Sequence, residues 1–118
     1  MSQREPDDYL PVKPDVFTIL MILVDGDTYG YGIIKEAAER TDGQMRLQAG
    51  ALYRRLKWML SEGLIVELEA TAAGDDGDRR RVYGVTPFGR QVAAREAERM
   101  AVWVAAAEAR QMIKGSAR

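Results

Sequence analysis

The chain has 118 residues, 47% of them hydrophobic and 30% charged, with 17 Lys and Arg set against 18 Asp and Glu for a formal net charge of −1; this is the size and balance of one soluble globular domain. It contains neither cysteine nor histidine, which excludes disulfide frameworks, zinc-finger spacings, thiolate nucleophiles and His-based catalytic triads. No catalytic activity, cofactor or metal is therefore expected, and the near-neutral charge taken whole argues against a polyanionic partner unless the cations are clustered locally.

The start of the chain is charged, with Arg4, Glu5, Asp7 and Asp8, and has no apolar run of the kind a secretory signal needs. Residues 1–12 read as a flexible terminus. Lys13-Pro14-Asp15 opens the first helix, because proline at the first helical position loses no needed donor and an early aspartate suits the positive end of the helix dipole. That helix should run to about Val24. Its body is apolar on nearly every side and about half as long as a membrane span, so it is a core helix that needs two covering surfaces, one of them a second subunit. Asp25-Gly26-Asp27 marks a turn, and Asp27 or Thr28 is placed to cap a second helix that runs through Tyr29-Gly30-Tyr31-Gly32 and ends at Thr41-Asp42-Gly43. The two glycines cost that helix about 1 kcal/mol each, which implies close approach of another backbone or of a phosphate; Tyr29 and Tyr31 read as packing or capping residues.

Residues 44–47 alternate polar and apolar side chains and predict a short strand. In the third helix, residues 48–61, Leu52, Leu56, Met59 and Leu60 form one stripe, and Gly50, Arg54, Lys57 and Ser61 point the opposite way. Glu62-Gly63 stops it, residues 64–69 read as a strand, residues 70–78 as a small, acidic loop, and residues 79–85 as a returning strand. Thr86-Pro87 is a strong helix start, and helix formers continue to about Ile113. Met100, Trp103, Val104 and Ala107 make a stripe on this last helix, too long for one small domain to cover, so a partner helix is the natural cover. Residues 114–118 read as a second flexible terminus.

This order of elements is that of a winged helix-turn-helix: mainly α, with a small β-hairpin wing and a long C-terminal dimerisation helix. From residue 44 to residue 60 the only charged residues are Arg46, Arg54, Arg55 and Lys57. A recognition helix needs an apolar stripe behind it and a basic face in the major groove, and residues 48–61 meet both requirements. Asp75 and Asp76 lie in a loop without an oriented partner and do not make an acid-base site.

Four ordered blocks also carry a family resemblance: Tyr29-Gly30-Tyr31-Gly32-Ile33-Ile34-Lys35-Glu36, Gly50-Ala51-Leu52-Tyr53-Arg54-Arg55-Leu56, Glu62-Gly63-Leu64-Ile65, and Arg79-Arg80-Arg81-Val82-Tyr83-Gly84-Val85-Thr86-Pro87-Phe88-Gly89-Arg90. Together they resemble the PadR-like (phenolic acid decarboxylase repressor) transcriptional regulators. The resemblance implies a dimeric winged-helix repressor whose final helix packs on the partner subunit. The expectation is thus a cytoplasmic, sequence-specific DNA-binding repressor, with residues 13–86 as the DNA-binding domain and residues 87–113 as the dimerisation helix. Its partners are a double-stranded, pseudo-palindromic operator and a second copy of the chain. Gln48, Gly50, Tyr53, Arg54, Arg55, Lys57, Arg79 and Arg80 are the expected DNA contacts. Phe17, Leu20, Met21, Met100, Trp103, Val104 and Ala107 are the expected dimer interface. Trp103, with its copy in the partner, is the candidate platform for a small aromatic effector. The alternative is a dimeric winged-helix scaffold for proteins or ligands that does not bind DNA.

Overall fold

The computed structural model describes residues 4–68 and 81–114. In chain order these form a short 3-10 helix (Pro6–Tyr9), α1 (Pro14–Asp25), β1 (Thr28–Tyr29), α2 (Gly30–Arg40), α3 (Ala49–Ser61), β2 (Ile65–Leu68), β3 (Val82–Val85) and α4 (Pro87–Ala109). The three strands make one antiparallel sheet in the order β1-β3-β2, with Thr28 opposite Tyr83 and Ile65 opposite Val85. The result is the mainly helical winged helix that the element order predicts, with β2 and β3 as the wing. The expected loop 70–78 and the first residues of the returning strand, Arg79 and Arg80, lie outside the described residues.

Local chemistry sets the boundaries. Asp15 accepts a hydrogen bond from the Val16 amide at 2.8 Å and Thr18 returns one to the Pro14 carbonyl at 2.8 Å, fixing the first turn of α1. Gly63, with φ of 76°, ends α3 in the left-handed conformation that glycine alone adopts freely. Thr86 caps α4 by accepting from the Gly89 amide at 2.9 Å, and its hydroxyl lies 2.6 Å from the Gly63 carbonyl, so one side chain joins the end of α3 to the start of α4.

Several expectations are corrected. The short strand falls at Thr28–Tyr29 instead of at residues 44–47. Residues 44–47 satisfy themselves locally: the Met45 amide donates to Thr41 Oγ1 at 2.8 Å, and Arg46 bonds back to the Gly43 carbonyl at 3.0 Å. The exposed edge of β3 is taken by β1 instead. Helix α2 accordingly starts after Tyr29, with no side-chain cap from Asp27 or Thr28. Helix α4 stops at Ala109, short of Ile113, because Gln111 takes a positive φ of 61° and the Met112 amide turns back to the Ala107 carbonyl.

The core gathers Ile19, Leu20 and Leu23 of α1 with Ile33 and Ala37 of α2, Leu52, Leu56 and Met59 of α3, Leu64 and Tyr83 near the sheet, and Val92 of α4. Helix α1 packs against α2, α4 and β3. Its nearly all-round apolar surface is thus mostly covered within the subunit, and Leu20, expected at a dimer interface, is 0% exposed. Residues 6–12, expected to be flexible, are docked: Val12 is buried, its amide donates to Glu96 at 3.1 Å, and Tyr9 sits edge-on to Trp58 and Phe88.

Candidate nucleic-acid interface

Helix α3 is held from behind by Leu52, Leu56 and Met59, all buried, at the spacing that puts three side chains on one face. The opposite face carries Gly50, Arg54, Lys57 and Ser61, all exposed, and Gln48 is exposed just before the helix. Among the described residues, neither Arg54 nor Lys57 makes an ion pair, and α3 bears no carboxylate. Their charges therefore act on whatever approaches this face.

Arg55 is placed differently from its neighbours. It bonds Asp15 of α1 at 3.0 Å and lies 5.7 Å over the Trp58 ring, half-buried between α1 and α3. It is a brace holding the helix to the body, because its turn of α3 faces the flank of the apolar stripe. Tyr53 lies half in and half out, with its ring over Gly30. A side chain built at Gly30 would overlap the Tyr53 hydroxyl. The close approach expected at the tandem glycines is thus made by a ring from α3 and, at Gly32, by the Thr28 side chain, not by another backbone.

Beside Tyr53, a cleft of about 320 Å³ is bounded by Tyr29, Gly30, Tyr31 and Arg81. Tyr31 is 62% exposed and stands near the Tyr29 ring at 6.4 Å, so it is not the packing residue expected from sequence. At about 100° per residue, Tyr31 lies nearly opposite the buried Ile33 of the same helix, which was the signal available for its outward direction. Arg81, at the foot of the wing, is exposed and 3.6 Å from Glu67. Arg79 and Arg80 lie outside the described residues.

Helix α4 buries only Gly89, Val92, Ala93 and Glu96, all in its first half. Trp103 is 67% exposed, Val102 and Val104 are also exposed, and Met100 and Ala107 are half-covered. Met21 of α1 is exposed and Phe17 half-buried. No helix among the described residues is long and apolar enough to cross a membrane.

The Transcriptional regulator PadR-like family matches residues 19–95, a span that includes α2, α3, the wing strands and the first turns of α4. The chain belongs to the PadR-like family. A PadR family transcription regulator from Clostridium difficile R20291 superimposes with a TM-score of 0.70 at 26% identity, covering 86% of this chain and 100% of that one. A transcriptional regulator from Clostridium thermocellum does so with a TM-score of 0.65 at 24% identity, over 92% and 96% of the two chains. Bacillus subtilis PadR, in complex with operator DNA, shares the fold with a TM-score of 0.62 at 23% identity, over 71% of this chain and 46% of that one. Among curated proteins, none matches the chain. In this PadR-like protein the exposed face of α3 and the wing beside it form the candidate nucleic-acid interface.

Proposed function

We propose that this PadR-like chain is a cytoplasmic, sequence-specific transcriptional repressor that binds a pseudo-palindromic operator as a homodimer. The observation that carries the reading is the pair of outward, uncommitted cations, Arg54 and Lys57, on a helix braced by Leu52, Leu56 and Met59. A helix so supported fits the major groove, where arginine and lysine reach base edges and phosphates. Bacillus subtilis PadR in complex with operator DNA supports the same use of this fold. Gly50 adds to it: among the described residues a side chain there would meet nothing nearer than the end of Arg54 at 3.8 Å, so none of them requires glycine. A backbone open on that side lets a phosphate or base edge come close. Gln48 and Tyr53 flank these cations; Arg79 and Arg80, expected from the sequence as further contacts, lie outside the described residues.

In this reading, residues 13–86 form the DNA-binding unit and residues 87–113 the dimerisation unit. The apolar flank of α4, with Met100, Trp103, Val104 and Ala107, packs on its copy together with Phe17 and Met21 of α1, because an exposed stripe of this kind is costly in water unless covered. Two α3 helices then address successive major grooves about 34 Å apart. Trp103 and its copy would offer a flat apolar surface to a small aromatic effector.

The test is a binding titration on the chain's own upstream region across a range of salt. Arg54→Ala and Lys57→Ala should each lower the salt slope by about 1.8, since each phosphate contact contributes roughly 0.9 and a dimer loses two. Unchanged affinity and slope in both variants would overturn this docking and favour a dimeric scaffold that does not bind DNA.

A further inference from the structure

Helices α3 and α4 are joined at a pivot. The Thr86 hydroxyl, at the cap of α4, lies 2.6 Å from the Gly63 carbonyl and 3.0 Å from the Leu64 carbonyl, so the end of α3 is tied to the start of α4. Beyond that point each helix packs chiefly on other elements, α3 on α2 and β2, and α4 on α1, β3 and the 3-10 helix. A pivot fixes where two rods meet. Holding the angle between them takes a further contact away from it.

The N-terminal segment supplies that contact. Tyr9 is wedged between the helices, edge-on to Trp58 of α3 with ring centroids 6.3 Å apart and to Phe88 of α4 at 5.6 Å. Its hydroxyl donates at 2.7 Å to Glu62, which closes the end of α3. The wedge is pinned from the α4 side. Arg95, two turns beyond Phe88, donates to both oxygens of Asp7 at 2.7 and 2.9 Å, and the buried Glu96 accepts from the Val12 amide at 3.1 Å. Exposed pairs such as Arg4 with Glu62 at 3.5 Å add little. The half-buried ring is what holds the angle, because edge-to-face aromatic contacts have a preferred separation and tilt.

We propose that residues 4–12 are a positioning strap that sets the angle between α3 and α4, and that in the operator-bound dimer this angle fixes which half-site separation the protein accepts. The second step rests on the DNA-binding reading given above; the first does not. Tyr9 acts through Trp58, Phe88 and Glu62, and is a positioning residue. The whole strap precedes residue 19, where the family match begins, so it lies outside the matched span. One base pair more or less of spacer moves a half-site by about 3.4 Å and turns it by about 35°. A dimer with a held angle leaves that strain to the DNA, and a dimer with a loose angle absorbs it.

The angle is read without DNA. The chain has no cysteine, so Ser61→Cys on α3 and Val102→Cys on α4, both at exposed positions, carry a pair of spin labels. Their separation is measured by pulsed electron resonance, with labelled chains diluted in unlabelled ones. The parent pair should give one narrow distance distribution and Tyr9→Ala a broadened or displaced one; Tyr9→Leu, which keeps apolar bulk without the ring, should act in the same sense and secures a folded variant. Tyr9→Phe, which keeps the ring, should stay close to the parent. Ile33→Val, a core truncation in α2, should weaken the fold without altering the distribution. The consequence is read with unlabelled chains on operator fragments whose spacer is one base pair longer or shorter. The parent should lose at least about tenfold in affinity on either fragment and Tyr9→Ala less than about threefold, with Tyr9→Phe and Ile33→Val like the parent. An unchanged distribution in Tyr9→Ala and Tyr9→Leu, or an equal change in Ile33→Val, overturns the strap whatever happens on DNA. A broadened distribution with the full spacing preference retained overturns its link to half-site separation. A parent chain that binds no operator defeats the DNA reading of α3 instead, and the distances still decide the strap.

Discussion

Among the described residues, Glu96 is the one charged residue of the buried core, 2% exposed, and it holds the N-terminal segment to α4. Its Oε1 accepts from the Val12 amide at 3.1 Å and from Arg99 Nε at 2.9 Å, and its Oε2 accepts from Arg99 Nη2 at 2.7 Å. In Glu96→Ala the buried Val12 amide loses its acceptor, at a cost of about 1–3 kcal/mol, while the partly exposed Arg99 turns to water cheaply. With the small void left by the carboxylate, the loss should be about 2–3 kcal/mol. Unfolding entropy of about 2.1 cal/mol/K per residue makes 1 kcal/mol worth roughly 4 °C for a chain of this length, so the melting temperature should fall by about 8–12 °C at fixed protein concentration. Glu96→Gln keeps an acceptor for Val12 and should lose less than half as much. The Arg99 guanidinium, aided by the Val12 amide and opposed by burial, holds the Glu96 carboxyl below its usual value of 4.5. A carboxylate with a depressed folded value stabilises fully above its unfolded value and loses that contribution as pH falls through the folded one. The gap between parent and Glu96→Ala should therefore be largest near neutrality and narrow as pH falls through the depressed Glu96 value. Thermal melts across pH, with hydrogen exchange of the Val12 amide, read both effects. A Glu96→Ala chain melting within about 2 °C of the parent, or a gap that widens in acid, would refute the reasoning.

Gly89→Ala should destabilise by about 1–3 kcal/mol, where the same change in an open helix would gain up to about 1 kcal/mol, because the new methyl overlaps the Leu64 backbone carbonyl; a urea midpoint that falls at constant slope checks it. Gly30→Ala should destabilise the parent but be neutral or favourable, by up to about 1 kcal/mol, once Tyr53→Ala removes the ring it strikes. Arg55→Ala should cost about 0.5–1 kcal/mol through the lost Asp15 pair and leave the salt slope of DNA binding intact, unlike Arg54→Ala and Lys57→Ala; a slope that falls equally in all three would place Arg55 on the DNA face.

What the residues disclosed in advance followed from period and punctuation. The stripe of Leu52, Leu56 and Met59 has the helical spacing that fixes both the buried face and, by subtraction, the outward direction of Arg54 and Lys57. Pro14, Gly63 and Thr86-Pro87 mark ends through conformations or missing donors that depend on those residues alone. What stayed hidden depends on partners distant in sequence. A two-residue strand such as Thr28–Tyr29 has no period to detect and exists only because β3 offers its edge. Residues 44–47 have the alternation but no strand beside them. The N-terminal segment looks like a charged tail, yet Asp7 meets Arg95, Tyr9 meets Glu62 and Val12 meets Glu96, each across more than fifty positions. Leu20, expected at the dimer interface, belongs to the core instead, since both settings bury a leucine equally well and its spacing does not tell them apart.

The slight excess of acidic residues, which taken whole argues against a polyanionic partner, is resolved by where the carboxylates are spent. Asp7 faces Arg95, Asp15 faces Arg55, Asp25 and Glu36 face Arg40, Glu62 faces Arg4, and Glu96 faces Arg99. Each of these pairs neutralises an arginine on the flanks and rear of the fold. Fields from exposed charges decay over about 8 Å at physiological ionic strength, so a phosphate at α3 responds to its neighbours and hardly to the total. Between residues 44 and 60 those neighbours include no carboxylate. A chain with a net charge of −1 can thus present a cationic helix, and substitutions that free the rear arginines, such as Asp7→Asn, should change the net charge by the same amount as Lys57→Gln changes it in the opposite sense, yet leave affinity for DNA nearly untouched.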